Sequence, residues 1–142
     1  PDGEVIFKKY SPVGAISSTA SQYVDVLSKV GGLPAVICDR DHVIAVSGMS
    51  KKEIIERRVS GSLEDLIEQR KSYVFKNGEQ KRLNPIEGVD RYAIACSPIL
   101  ASGDVNGAVI MLSGDSGNDT ATAEQSALVQ AAAMYFGKQM EE

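Results

Sequence analysis

The sequence predicts an α+β fold, an antiparallel sheet flanked by helices. Short runs rich in Val, Ile and Ala are joined by turn signals that link neighbouring antiparallel strands. Apolar residues recur at helical spacing near both ends of the chain. Only hairpin-type connections join the strands, so the sheet is expected to be antiparallel, with helices mostly on one face. At 142 residues the chain has the length of one domain and can bury a core without staples.

Asp2-Gly3 followed by Val5-Ile6-Phe7 reads as a turn and a short strand. That strand lacks an evident partner, which places its other half upstream. Ser11-Pro12 opens a first helix, with Ile16, Ala20, Tyr23, Val24, Leu27 and Val30 at helical spacing and Gly31-Gly32 as its stop. Ala35 to Cys38 and Val43 to Gly48 form a hairpin about the polar turn Asp39-Arg40-Asp41-His42. Ser50-Lys51-Lys52-Glu53 reads as a capping box starting a second helix, and Ser62 to Arg70 as a third. Tyr73 to Phe75 and Lys81 to Leu83 flank Asn77-Gly78, a strong hairpin dipeptide. Arg91 to Leu100 and Gly107 to Ser113 are strands joined by a turn at Ser102-Gly103-Asp104. Thr120 or Thr122 caps a last helix running to Met140. Its apolar residues form two stripes: Leu128, Ala132 and Tyr135, then Val129, Ala133, Phe136 and Met140. One stripe suits the sheet; the other, Ala-rich, suits a second helix.

Composition narrows the function classes. Hydrophobic content of 43% against 24% charged residues argues against disorder. No apolar run approaches ~18 residues, so no transmembrane helix is expected, and no basic segment precedes an apolar one as in a secretory signal. The chain begins at Pro1, as an excised piece of a longer protein would. A net charge of −4 and the absence of Trp are a poor footprint for nucleic acid. Two dispersed cysteines, Cys38 and Cys96, fit a reducing cytoplasm.

The element order matches a GAF- or PAS-like sensor domain. Ser97-Pro98-Ile99-Leu100, then Gly103-Asp104, then Val105-Asn106-Gly107-Ala108-Val109-Ile110, resembles the paired late strands of GAF domains. Nearly the whole chain resembles a family of AbrB-like sporulation transcription regulators. The likeness is carried by Asp2 to Pro12, Ile37-Cys38-Asp39-Arg40-Asp41, Ile44 to Gly48 with Ser50-Lys51-Lys52, and Gln139-Met140-Glu141. The resemblance implies that residues 1–12 are the remnant of the last strand of an upstream AbrB-like DNA-binding domain with its linker. It makes residues 13–142 a GAF domain that controls DNA binding through the Val13–Val30 helix. The orphan strand and the acidic charge then have one explanation.

The resemblance implies a small molecule held between the sheet and the connectors running from Ser50 to Arg82. The expected rim is Ser47, Met49 and Ser50 at a helix start, with Cys96 and Ser97 from a central strand. Arg57, Arg58 and Arg70 are the cations for an acidic ligand. The competing reading places all three arginines in solvent. A ligand-free oligomerisation scaffold and a thiol redox protein are the alternative functions. The first and last helices carry more apolar surface than one sheet face covers. A homodimer or homotetramer is therefore expected through Ile16, Ala20, Tyr23, Val24, Leu27, Val129, Ala133, Phe136 and Met140.

No catalytic constellation is legible, and the expectation is a protein that is not an enzyme. The two cysteines read as small buried hydrophobes. His42, the single histidine, lies in a turn and supplies neither a triad nor a four-ligand metal site. Asp39 and Asp41 read as turn-formers. Gly31-Gly32 follows a helix, whereas phosphate loops follow a strand. The Asn-Lys-Phe-Asp-Glu signature of cyclic-nucleotide GAF domains is absent. No cofactor is assigned.

Overall fold

A computed structural model describes residues 17–76, 81–115 and 119–141. The expected strand at Val5 to Tyr10, the helix start at Ser11, the interface residue Ile16 and the Asn77-Gly78 turn all lie outside the described residues. The elements are α1 (Ser17–Gly31), β1 (Ala35–Cys38), β2 (Val43–Ser47), α2 (Lys51–Ile54), α3 (Gly61–Glu68), β3 (Tyr73–Val74), β4 (Ala93–Ala101), β5 (Asp104–Leu112) and α4 (Ala123–Met140). They form one five-stranded sheet in the order β2-β1-β5-β4-β3, antiparallel throughout.

Local chemistry explains the turns. Asp39 Oδ1 accepts the backbone N–H groups of Asp41 (2.8 Å) and His42 (2.7 Å), which closes the β1–β2 hairpin as an Asx turn. β4 and β5 meet at Ser102-Gly103, both with positive φ. α4 has a complete capping box. The Thr122 hydroxyl accepts from the Gln125 N–H, and the Gln125 side chain accepts from the Thr122 N–H. The same Gln125 donates Nε2–H to the Gly31 carbonyl at the end of α1 (2.9 Å). One side chain thus opens α4 and closes α1.

Three expectations are corrected. Helices cover both faces of the sheet. α1 and α4 bury Ile37, Ile94, Val109 and Met111 on one side, while α2, α3 and the loops bury Val36, Cys96, Ile110 and Leu112 on the other. The signal was β1 itself: four apolar residues in a row, all buried, with no polar alternation. Secondly, among the described residues the strand partner of β3 is β4 and not the Lys81 to Leu83 stretch. Tyr73 and Val74 pair with Cys96 and Ala95 of β4, whose longer buried ladder is the better template. Thirdly, Ser50 sits at the N-cap of α2 without a side-chain cap hydrogen bond, and the helix lasts four residues. The cap that forms is Ser60, accepting from the Leu63 N–H of α3.

The helical layers lie close to the sheet because small residues sit at the contacts. Gly137 of α4 lies over the Leu100 carbonyl, where a Cβ would overlap the oxygen. Gly137→Ala is therefore expected to destabilise the protein by about 1–3 kcal/mol, although Ala is the better helix former. A lower urea midpoint at unchanged slope is the expected readout; an unchanged or raised midpoint would show that α4 can lift off β4 at no cost.

Candidate functional site

The residues expected at one pocket rim separate into distinct places. Side chains alternate across a strand, so neighbours Cys96 and Ser97 face opposite layers. Cys96 belongs to the α2–α3 side and Ser97 to the α4 side. The layer between the sheet and α2–α3 is filled with apolar side chains, among them Ile54, Val59, Leu63, Ile67 and Ile86, each 2% exposed or less. Met49 packs at its margin and Ser47 is half-buried at the end of β2. Ser50, Arg57 and Arg58 are exposed. Arg57 donates Nε–H to the Glu53 carbonyl and reaches the Glu87 carbonyl at 3.5 Å. Met49 and Arg57 share a shallow groove of about 250 Å³ with Glu53 and Arg91.

Two of the expected residues do meet. Arg70 and Ser97 line a groove of about 300 Å³ at the sheet edge beyond β3, with Ser72, Pro98, Leu100, Gln130, Ala133 and Met134. Ser72 Oγ and Ser97 Oγ are 2.9 Å apart. Arg70 donates from Nε (3.2 Å) and Nη2 (2.7 Å) to the Gly103 carbonyl in the β4–β5 turn. The residue before Gly103 is tied as well: the Ser102 N–H donates to Glu141 Oε2 just past α4 (2.9 Å). The turn is thus held by the segment that follows α3 on one side and by the residue just past α4 on the other. Sequence reasoning missed Ser72, Gln130 and Met134, because nothing in their local pattern announces a groove between a short edge strand and a helix.

The expected association residues are also redistributed. Ala20, Val24, Leu27, Val129, Ala133 and Phe136 are buried in the chain's own core, so they are not free to form an intermolecular face. Periodicity shows that a stripe is apolar; it does not say which body covers it. Tyr23 and Met140 are half-buried at the margin of that core. The large apolar groups left exposed on α1 and α4 are Val26, Val30, Met134 and Tyr135. Tyr23 and Tyr135 join the two helices with ring centroids 5.5 Å apart.

Neither thiol is poised for chemistry. Cys38 lies on β1 and Cys96 on β4, with β5 between them. Two strand spacings are ~9.6 Å, beyond the Cα separation of about 7 Å that a disulfide bridges. Burial pushes the Cys38 thiol up to about 12, opposed by a backbone hydrogen bond at Ala108 and aided by the Asp39 charge. Burial, and next the neighbouring Cys38, push Cys96 up as well. Asp39, Asp41 and His42 bring ligand atoms within 4.8 Å of one another, but the Asp39 oxygen is committed to the turn described above.

Five antiparallel strands in this order, with terminal helices on one face and short helices on the other, give this chain a GAF-like fold. The GAF domain of a phosphoenolpyruvate-protein phosphotransferase from Coxiella burnetii matches with a TM-score of 0.67 at 15% identity, over 88% of this chain and 82% of that one. The cofactor-binding GAF domain of the nutrient sensor CodY from Clostridium difficile matches with a TM-score of 0.58 at 11% identity, over 90% and 92%. These likenesses establish the fold. The family described as stage V sporulation protein T C-terminal, transcription factor, matches residues 15–141. Stage V sporulation protein T of Bacillus subtilis (strain 168) is 38% identical over 143 residues, covering 99% of this chain and 78% of that protein. The chain belongs to the stage V sporulation protein T C-terminal family. No helix among the described residues is long and apolar enough to cross a membrane.

The thiols generate a pH prediction. A Cys whose folded pKa is raised stays protonated when folded and ionises when unfolded. Its contribution is intact below the ordinary thiol value and is lost as pH rises from about 9 towards about 12. Each such thiol should steepen the alkaline loss of stability by ~1 kcal/mol per pH unit. The Cys38→Ala/Cys96→Ala variant, followed by urea unfolding between pH 8 and 10, is expected to show the shallower slope (roughly this range brackets the free thiol value). Equal slopes would mean that the thiols already ionise in the folded protein.

Proposed function

We propose that this chain is the regulatory and self-associating GAF domain of a sporulation transcription regulator, with residues 13–142 as the domain and residues 1–12 as the end of an upstream AbrB-like DNA-binding domain. It works in the cytoplasm by association and conformational relay and not by catalysis. The observation that carries this reading is the uncovered apolar face of the two terminal helices. Val26 is 57% exposed, Val30 65%, Met134 69% and Tyr135 40%, after the chain's own core has taken its share. Exposed Ala127 and Ala131 lie along the same helix and permit close approach of a second one. A second copy offers the same face, and two-fold pairing covers both at once.

The relay reading rests on how α1 is held. Early α1 touches late α4 through Tyr23 with Tyr135 and Phe136, and late α1 touches early α4 through Gln125 and Gly31, so the helices are antiparallel. The chain upstream therefore joins α1 at the end where α4 finishes. A change in how two copies pair is delivered directly to whatever precedes α1. Regulation requires that a signal favour one of two such arrangements by differential binding. Within the sensor class, the filled layer beneath α2 and α3 favours an association scaffold over a ligand buried there. The nutrient-sensor relative is named for binding a cofactor; in this chain the open groove at Arg70 and Ser97 is the place where such sensing fits.

Two outcomes test the reading. Val30→Glu and Met134→Glu, singly, are each expected to shift the assembly towards monomer by at least about tenfold in dissociation constant, ~1.4 kcal/mol, in sedimentation equilibrium. A chain that is monomeric to begin with, or dimers indifferent to both changes, would overturn it. The 142-residue chain alone is expected to leave an operator fragment unshifted in gel electrophoresis at physiological salt, because its charge of −4 repels phosphate. Specific retardation would place DNA recognition within these residues.

A further inference from the structure

We propose that the groove at the free edge of β4 binds a small carboxylate carrying a short hydrocarbon tail. The inference rests on the regulatory reading for its purpose, and on the groove's own chemistry for its ligand. β3 is two residues long and pairs only as far as Cys96, so among the described residues β4 has no strand beside it on that side from Ser97 onward. The space left is about 300 Å³, the lower end of the range for small-molecule sites. One wall is apolar, made by Pro98, Leu100, Ala133 and Met134. Leu100 and Met134 are both exposed, so that wall lacks a full cover among the described residues.

The polar wall supplies donors suited to an anion. Arg70 directs Nε and Nη2 at a single oxygen, that of Gly103, and no carboxylate among the described residues lies within ion-pairing range of it. Its Nη1 is without a hydrogen-bond partner among the described residues. Arg70 also occupies the left-handed region, at φ 57°, which a non-glycine residue adopts at a cost. Ser72 and Ser97 share one hydrogen bond. One hydroxyl donates within the pair, and the other's hydrogen remains for an incoming acceptor. Gln130 contributes an amide from α4. A guanidinium, a hydroxyl hydrogen and an amide beside Leu100 and Met134 select a carboxylate head and an apolar tail. A carboxylate is also a stronger acceptor for the guanidinium than the Gly103 carbonyl. Its arrival competes for the contact that fixes the β4–β5 turn, and that turn also holds Glu141 at the end of α4.

Hexanoate is a direct probe, with hexanamide as the uncharged analogue. Titration of the full 142-residue chain is followed by backbone amide NMR. Hexanoate is expected to bind weakly, with a Kd of order 1 mM, and to move the amides of Ser72, Ser97 to Gly103 and Gln130 to Met134. Hexanamide should leave them in place. Arg70→Gln keeps a donor for Gly103 and removes the charge; it should weaken hexanoate by at least about tenfold. Gln130→Glu, on an exposed helix position, puts a like charge in the groove without touching Arg70 and should weaken it comparably. Hexanoate without effect on these amides, equal shifts from hexanamide, or binding that survives Gln130→Glu would each overturn the proposal. Self-association measured on the same samples without hexanoate reads the regulatory proposal separately.

Discussion

The β4–β5 hairpin, with a helical layer on each face, is the constraint on which the rest of the domain depends. Nearly every residue from Ala93 to Ser113 outside the turn is buried. An antiparallel sheet normally leaves one face in water; here both faces are covered, so the central strands cannot alternate apolar with polar. They mix small residues with large ones instead. Ala93, Ala95, Gly107 and Ala108 lie among Ile94, Ile99, Ile110 and Met111, and the small positions let the layers approach. At Gly107 the approach is closest, since a Cβ there would overlap the Cys38 carbonyl of β1. At Gly137 the same device brings α4 down onto β4.

That architecture decides where chemistry can occur. Ile54, Val59, Leu63, Ile67 and Ile86 fill the far layer, and burial there favours both thiols in their neutral form. The near layer is closed over β1, β5 and β4 by α1 and α4, but β3 is too short to carry the sheet to the outer flank of α4. The groove exists because of that mismatch in strand length. Its polar members come from three separate places: the link between α3 and β3, the edge of β4 and the outer flank of α4.

The helices link this groove to the assembly. Gln125 ties the start of α4 to the end of α1, and Glu141 ties the far end of α4 to the β4–β5 turn. Each end of α4 is therefore anchored by one side chain, and its outer flank carries Met134, a residue of the groove and of the exposed apolar face alike. A shift of α4 is felt in both places, which is the physical requirement for coupling between two sites.

Much of the local structure was legible without coordinates. The Asx turn at Asp39, the cap at Thr122, the β1–β2 and β4–β5 hairpins and the terminal helices follow from short-range rules that act within a few residues. The family likeness was readable in the same way, from runs such as Ile37 to Asp41. Partnership was not readable, because it depends on contacts between residues far apart in the chain. The pattern in α1 and α4 marked Val24, Val129 and Phe136 as apolar, but only the folded sheet assigned them to the chain's own core and left Val30 and Met134 outside. Likewise Arg70 and Ser97 could be named from the sequence, and Ser72, Gln130 and Met134 could not. By itself the sequence determined which residues are apolar, where the chain turns and which fold results. The tertiary structure decided which apolar stripe remains free and which side chains converge, because burial and proximity are set by the whole fold.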